Sequence, residues 1–361
     1  MSVKAIVQTG VRAIEMREFE RPAIHDDDAL LRIEQSGVCG SDWSQFKMGA
    51  PANVIPGHEP IGTIEEIGPL AAARWGVEVG ARVAIETMLP CGFCRHCIRG
   101  QYNHCRASGP MIHAYGYRNI DEAPSLWGGH AEYMYLDPHT LLHRIAPDTP
   151  AELAVMFNPL GAGVRWAHRV PGTGIGDTVV VLGCGQRGLA AVIAAREAGA
   201  GTVIVTGLAA DEFKLEIARK FGADHTINVD TTSVIDAVQE ISDGEGADVV
   251  VEVTSGATAP VGDAIEIVAR RGTVVLAGLK YGKVPEFDAN KVMSKEIRIQ
   301  GALAVDYDSY EAAIHIIEGG RYPLELMHTH TIPLSECERA LHVLGGEVEG
   351  EQGIHISLVP D

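Results

Sequence analysis

Two rhythms of apolar and polar residues divide the chain. Up to about residue 150, short apolar runs recur between Gly and Pro punctuation: Leu30 to Ile33, Ile61 to Ile67, Arg82 to Ile85 and Ala131 to Leu136. The opening Ser2-Val3-Lys4-Ala5-Ile6-Val7 alternates polar and apolar residues. These runs predict strands, with no regular alternation of strand and helix. From about Thr178 the pattern changes. Val179 to Leu182, Val203 to Val205, His225 to Ile227, Asp248 to Val253 and Thr273 to Ala277 are short apolar runs. Between them lie segments of helical period: Leu189 to Ala198, Glu212 to Phe221, Val234 to Ile241 and Ala259 to Arg270. Repeated strand–helix units with near-continuous apolar strands predict a doubly wound parallel sheet. After about residue 300 the rhythm breaks again. Tyr310 to Ile317 and Glu336 to Leu344 read as helices, and His355 to Val359 as a closing strand. A tail of about 60 residues makes a poor domain by itself, so it is expected to return to the first part of the chain.

Composition narrows the class. The 361 residues are too many for one comfortable core and suit two domains. Hydrophobic residues at 46% and charged ones at 21% indicate a soluble globular protein. A formal net charge of −19 repels phosphate backbones and anionic membrane surfaces, so neither nucleic acid nor a membrane is an expected partner. The N-terminus does not read as a signal peptide, and no window is long and apolar enough to span a bilayer. Seven Cys, four of them crowded together, fit metal ligation in a reducing compartment better than disulfides. A cytoplasmic location is expected.

Gly183-Cys184-Gly185-Gln186-Arg187-Gly188 fits G-x-G-x-x-G between an expected strand and helix. The first Gly permits the tight turn, the second lets a pyrophosphate approach the backbone, and the third lets helix and strand pack closely. The helix N-terminus, from Gln186 and Arg187 onward, presents unpaired N–H groups and a favourable dipole to phosphate. An NAD site usually carries an acid at the end of the second strand. Gly207 stands there instead, which leaves room for a phosphate. NADP would also need a cation nearby, whereas the loop continues into Asp211 and Glu212, with Lys214 beyond. The balance favours NAD, with NADP as the alternative.

Two groups of residues point to metal. Cys91-x-x-Cys94-x-x-Cys97 followed by Cys105 supplies four thiolates, enough to close a tetrahedral structural zinc site. A four-Cys iron–sulfur cluster is the alternative. The second group is dispersed: Cys39 in Gly37-Val38-Cys39-Gly40-Ser41-Asp42, and His58 with Glu59 in Pro56-Gly57-His58-Glu59-Pro60. Ahead of a dinucleotide fold, a thiolate, an imidazole and a carboxylate suggest an open catalytic zinc.

On these motifs the sequence resembles the zinc-dependent alcohol dehydrogenases of the medium-chain dehydrogenase/reductase superfamily, over nearly its whole length. Gly57-His58-Glu59-x-x-Gly62, continuing to Gly68, is the most specific element. Val79-Gly80-Ala81-Arg82-Val83 and Gly128-Gly129-His130-Ala131-Glu132-Tyr133 look like further landmarks. The resemblance implies a split, partly β-barrel-like (GroES-like) catalytic domain from residues 1–150 and 300–361, with a Rossmann domain at 151–299. It implies hydride transfer between an alcohol or ketone and NAD(P), two Zn2+ per chain, and a homodimer or homotetramer. Cys39 and His58 match catalytic zinc ligands, and Glu59 a carboxylate in or just behind the metal shell. Ser41 matches the hydroxyl that relays the substrate proton, Asp42 an acid that orients His58, and Gly183, Gly185 and Gly188 the cofactor glycines. Three positions depart from the pattern. Asn158 sits where the third zinc ligand is usually Cys, Asp or Glu, and offers only a neutral carbonyl. Ser44 replaces a relay His found in some relatives, and Gly207 replaces the ribose-binding acid. Asn158 keeps open a zinc-independent, NADPH-dependent reductase of activated double bonds. A nucleotide-sensing scaffold without turnover is a third reading. Trp43, Thr87, Met88, Tyr115 and Tyr117 are candidate pocket residues, and such a lining suits an apolar or cyclic secondary alcohol over a charged sugar acid; a polyol is a further candidate substrate.

Overall fold

Residues 2–107 and 113–361 are described by a computed structural model. The apolar run Val179 to Leu182 is buried at every position, as expected of a parallel strand covered on both faces. Among the described residues fifteen strands run in chain order: β1 (Ser2–Gly10), β2 (Ala13–Glu20), β3 (Ala29–Val38), β4 (Pro60–Ile67), β5 (Arg82–Ile85), β6 (Tyr133–Leu136), β7 (Leu142–Arg144), β8 (Thr178–Leu182), β9 (Thr202–Gly207), β10 (His225–Asn228), β11 (Ala247–Glu252), β12 (Val268–Leu276), β13 (Arg298–Gly301), β14 (His328–Pro333) and β15 (His355–Val359). The molecule is an α/β protein in which the described chain divides into two compact units.

One unit runs from Pro159 to Ala313 and takes in Gly320–Met327. Its six-stranded sheet has the order β10-β9-β8-β11-β12-β13, with every pairing parallel. The order reverses beside β8, between its neighbours β9 and β11. That is the switch point at which an open α/β sheet leaves a crevice beyond its strand ends. Val180, Ile204, Val250 and Val274 from four adjacent strands share one core. The helix predicted to reach Arg270 ends at Ile267, and β12 begins at once. Val268 already pairs with Ala247, and Arg271 adopts φ of 62°, so sheet pairing overrides the helical period there.

The other unit holds the chain up to Asn158 together with Ile314–Gly319 and His328–Asp361. Its seven-stranded sheet follows β14-β15-β3-β4-β5-β7, with β6 added on β3, and β1 and β2 form a separate hairpin. The C-terminal strand closes this unit: Ile356 and Ser357 of β15 pair with Val38 and Gly37 at the end of β3. The tail thus returns to the N-terminal strands, in two pieces that start later than residue 300. One core gathers Leu30, Ile64, Ile85, Trp127 and Met134, and a second gathers Val38, Phe46, Leu341 and Ile356 beneath the closing strand. Among the described residues no helix is long and apolar enough to cross a membrane.

The β8 turn shows how tightly strand and helix pack. A Cβ on Gly188 would stand 1.9 Å from the Gly183 carbonyl oxygen. Replacing Gly188 with Ala is therefore expected to destabilise the nucleotide unit by about 1–3 kcal/mol, seen as a lower urea midpoint. An unchanged midpoint would show that the turn can relax around a side chain.

Candidate active site and metal centres

The end of β3 hands the chain to the helix Gly40–Met48, and Cys39 lies at that junction. The Asp42 carboxylate fixes it. One oxygen accepts the Cys39 backbone N–H at 2.8 Å, and the other stands 3.3 Å from His58 Nδ1. With Nδ1 facing Asp42, His58 directs Nε2 the other way, 3.4 Å from Ser41 Oγ and 3.9 Å from a Glu59 carboxylate oxygen. Ligand atoms of Cys39, His58 and Glu59 all lie within 4.8 Å of one another, and all three residues are buried. Burial by itself would push the His58 pKa down, but Tyr117, Asp42 and Cys39 leave it well above the ordinary value. Burial likewise opposes the Asp42 charge, yet His58 and the Cys39 N–H hold its pKa below the usual range. A thiolate, an imidazole nitrogen and a carboxylate converging in a buried pocket suit a divalent zinc-type ion, with an outer carboxylate orienting the imidazole.

Neighbours shape this pocket. Gly57 has φ of 89°, and a Cβ there would meet His130 at 2.4 Å, so only glycine admits both the turn and the packed imidazole. Thr87 Oγ1 donates to the His58 carbonyl at 3.1 Å. The Tyr117 ring lies against His58 with centroids 5.5 Å apart. Ser44 Oγ donates back to the Gly40 carbonyl at 2.9 Å, within its own helix. Asn158 is buried in the first turn of the helix Phe157–Val164, in the same unit. Of the candidate pocket residues, Tyr117 and Thr87 touch His58, whereas Tyr115 is buried with its hydroxyl on Thr140 and Trp43 packs on Phe46. Met88 is buried as well. His130 is a site neighbour that the sequence pattern does not single out. Its place in Gly128-Gly129-His130 is the only signal, and its contacts with Gly57 depend on strand packing.

The four-Cys lobe is compact. Sγ–Sγ distances are 3.9 Å for Cys91–Cys97, 3.6 Å for Cys94–Cys97 and 3.9 Å for Cys94–Cys105. Four thiolates about 2.3 Å from one zinc ion stand about 3.8 Å apart, the edge of a tetrahedron. These spacings match a single ion, while a cluster would spread its thiolates over several metal corners. Backbone N–H groups of Cys97 and Arg106 pull the Cys94 pKa to about 6, and burial pushes Cys97 to about 12.

In the nucleotide unit each glycine of the turn has its own geometry. Gly183 adopts φ of 107°, and Gly188 has no space for a side chain. At Gly185, by contrast, nothing lies within 4 Å of the place a Cβ would occupy. The open position is the one a diphosphate would approach, at the N-terminus of the helix Gln186–Glu197. Gln186 is buried, and its Oε1 has no hydrogen-bond partner among the described residues. The Arg187 guanidinium stacks 5.2 Å from the Trp166 ring. Gly207 itself has no room for a side chain: a Cβ there would sit 2.7 Å from Cys184 Sγ and 3.1 Å from Leu215. The thiol fills that space, and burial with the nearby Asp211 raises its pKa to about 12. Of the acids of this loop, Asp211 accepts from Lys214 Nζ at 2.7 Å and from the Leu208 N–H at 3.2 Å.

A parallel nucleotide sheet, together with a unit bearing a buried Cys/His/Glu pocket and a four-thiol lobe, defines a nicotinamide-dependent dehydrogenase of the zinc-binding type. Residues 25–148 match the alcohol dehydrogenase GroES-like domain, and residues 188–319 match the zinc-binding dehydrogenase family. A "probable alcohol dehydrogenase" of Mycobacterium tuberculosis is 42% identical, with 99% of this chain and 98% of that protein covered. An erythritol/L-threitol dehydrogenase of Mycolicibacterium smegmatis is 33% identical, with 99% and 98% covered. The structure of an alcohol dehydrogenase from Thermotoga maritima superposes with a TM-score of 0.88 at 26% identity, covering 100% of both chains. The chain belongs to the zinc-dependent alcohol dehydrogenase family of medium-chain dehydrogenases.

The Gly207–Cys184 contact is testable by a matched pair of variants. Gly207→Asp alone is expected to lower the melting temperature by several degrees, through about 1–3 kcal/mol of overpacking. Adding Cys184→Gly is expected to restore most of that loss. Equal melting temperatures for parent and single variant would mean that the thiol does not block the position.

Proposed function

We propose that this protein interconverts a small secondary alcohol or polyol and its ketone, with NAD as hydride carrier and two zinc ions per chain. The observation that carries the reading is the buried convergence of Cys39, His58 and Glu59 beside the Ser41 hydroxyl. When bound there, zinc supplies Lewis acidity that makes an alcohol easier to deprotonate, and the nicotinamide supplies the hydride acceptor. The residues do the rest. Cys39 contributes a charged soft donor and His58 a nitrogen whose orientation Asp42 holds. Because His58 favours its proton in the metal-free protein, metal and proton compete for it, and occupancy should fall as the pH is lowered. Ser41, within reach of His58 Nε2, is placed to take the substrate proton, while Ser44 is committed to its own helix. Glu59 offsets the charge that Asn158 cannot supply. Cys91, Cys94, Cys97 and Cys105 hold the structural ion.

Polyol relatives support the substrate class: the 33% identical erythritol/L-threitol dehydrogenase and a 31% identical sorbitol dehydrogenase of Halalkalibacterium halodurans. For the cofactor, the loop after Gly207 offers Lys214 already paired with Asp211 and no Arg, which supports NAD over NADP. A homodimer or homotetramer is supported by β13, an edge strand exposed along its length, with Met293 and Leu303 exposed near it. The division into catalytic residues 1–150 and 300–361 around a Rossmann segment is proposed to hold functionally, with its boundaries shifted as the two units indicate. Gln186 and Arg187 are proposed to flank the bound dinucleotide.

Metal analysis beside alcohol oxidation tests the reading. The parent should carry two zinc ions per chain. Cys39→Ser should keep one and lose more than about a hundredfold in kcat/KM. Asn158→Asp should bind the catalytic ion more tightly without a matching gain in turnover, since added negative charge weakens Lewis acidity. Full activity in a parent with a single zinc in the four-Cys lobe would reject the zinc mechanism. Steady-state kinetics with both cofactors checks the other half: a higher kcat/KM with NAD is expected, and a clear NADP preference would overturn the cofactor assignment.

A further inference from the structure

The four-Cys lobe is tied to the unit by a buried carboxylate that zinc binding does not require. Tyr102, three residues before Cys105, donates its hydroxyl to Glu86 Oε2 at 2.7 Å. Glu86 Oε1 meets His143 Nε2 at 3.0 Å, and the side chains of Glu86 and His143 are fully buried. A carboxylate removed from water must be satisfied by partners, and here a tyrosine from the lobe and an imidazole from β7 both serve it. The residue after Glu86 is Thr87, whose hydroxyl holds the His58 carbonyl at 3.1 Å. Backbone bonds pin the segment on both sides: Glu86 N–H to the Leu141 carbonyl at 3.0 Å, and Tyr115 N–H to the Thr87 carbonyl at 2.9 Å. From Thr87 the chain runs directly to Cys91, whose N–H points to Cys105 Sγ at 3.3 Å.

We infer that Glu86 and Tyr102 are positioning residues that link the four-Cys lobe to the backbone of His58. The lobe sets Tyr102, Tyr102 and His143 set Glu86, and the adjoining Thr87 sets the His58–Glu59 peptide that carries two of the pocket's donors. The order of the lobe is thereby felt at the candidate catalytic metal pocket, although the lobe contributes no residue to it. The inference rests on the proposed roles of His58 and Glu59, but the bridge itself is a property of the metal-free chain.

The test is amide hydrogen exchange on the full-length Tyr102→Phe protein, read by mass spectrometry over residues 57–62 and 86–91. Loss of one hydrogen bond to a buried carboxylate should speed exchange in both segments by roughly three- to tenfold. Thr87→Val should speed exchange at 57–62 but not in the lobe. The double variant should match Thr87→Val at 57–62 and not exceed it, since both act through one path. Thr87→Ser should restore the parent rate there. Faster exchange confined to residues 91–107 in Tyr102→Phe, or strictly additive effects at 57–62, would overturn the inference. If Tyr102→Phe fails to fold, the Thr87→Val and Thr87→Ser pair decides: unchanged exchange at 57–62 in Thr87→Val would overturn it equally. Zinc content of the parent, measured on the same preparation, tests the two-metal reading separately, because the exchange arms do not need the metal.

Discussion

A single carboxylate at the start of a helix joins the two halves of the candidate active site. Asp42 takes the Cys39 backbone N–H on one oxygen and faces His58 Nδ1 with the other. Cys39 comes from the end of β3 and His58 from the approach to β4, so these contacts convert strand pairing into a side-chain constellation. They fix the backbone that carries the thiol and turn His58 Nε2 toward Glu59. Such a tie is costly to form, since burial opposes the charge on both partners. Each partner offsets part of that cost, since the two stand 3.3 Å apart.

The same logic recurs elsewhere in that unit. Glu86 is buried against His143 and Tyr102, and Glu59 contributes its carboxylate to the pocket with no exposure at all. Each buried acid stands where one chain segment must be held against another: Asp42 between helix and strand approach, Glu86 between lobe and sheet. Apolar packing supplies the bulk of the cohesion, but it is non-directional. Charged hydrogen bonds supply the direction that a metal pocket demands.

In the nucleotide unit, direction comes from backbone geometry. Gly183 and Gly188 allow the first turn to close on itself, and the space beyond Gly185 is left clear at the helix N-terminus. The loop after β9 follows a different constraint. A side chain at Gly207 would meet the Cys184 thiol, and Asp211 is bonded to Lys214 and the Leu208 N–H. Packing at Gly207 and the bonds of Asp211 thus fix the shape of the loop that follows β9.

The apolar periods alone are enough to indicate the parallel sheet of the central segment, since a strand buried on both faces must be apolar at every position. The four-Cys lobe is equally legible, because its ligands lie within fifteen residues and their spacing is itself the geometry. Cys39, His58 and Glu59 can be singled out as residue types, but their convergence depends on the register of β3 against β4. Packing between distant segments alone decided the rest: the start of β12 at Val268, the fit of His130 over Gly57, the thiol above Gly207, and the bridge from Tyr102 through Glu86 to Thr87. The physical reason is the range of the interaction. Periodicity and loop ligands are set by neighbours along the chain, whereas a contact across strands exists only once every intervening residue has chosen its register.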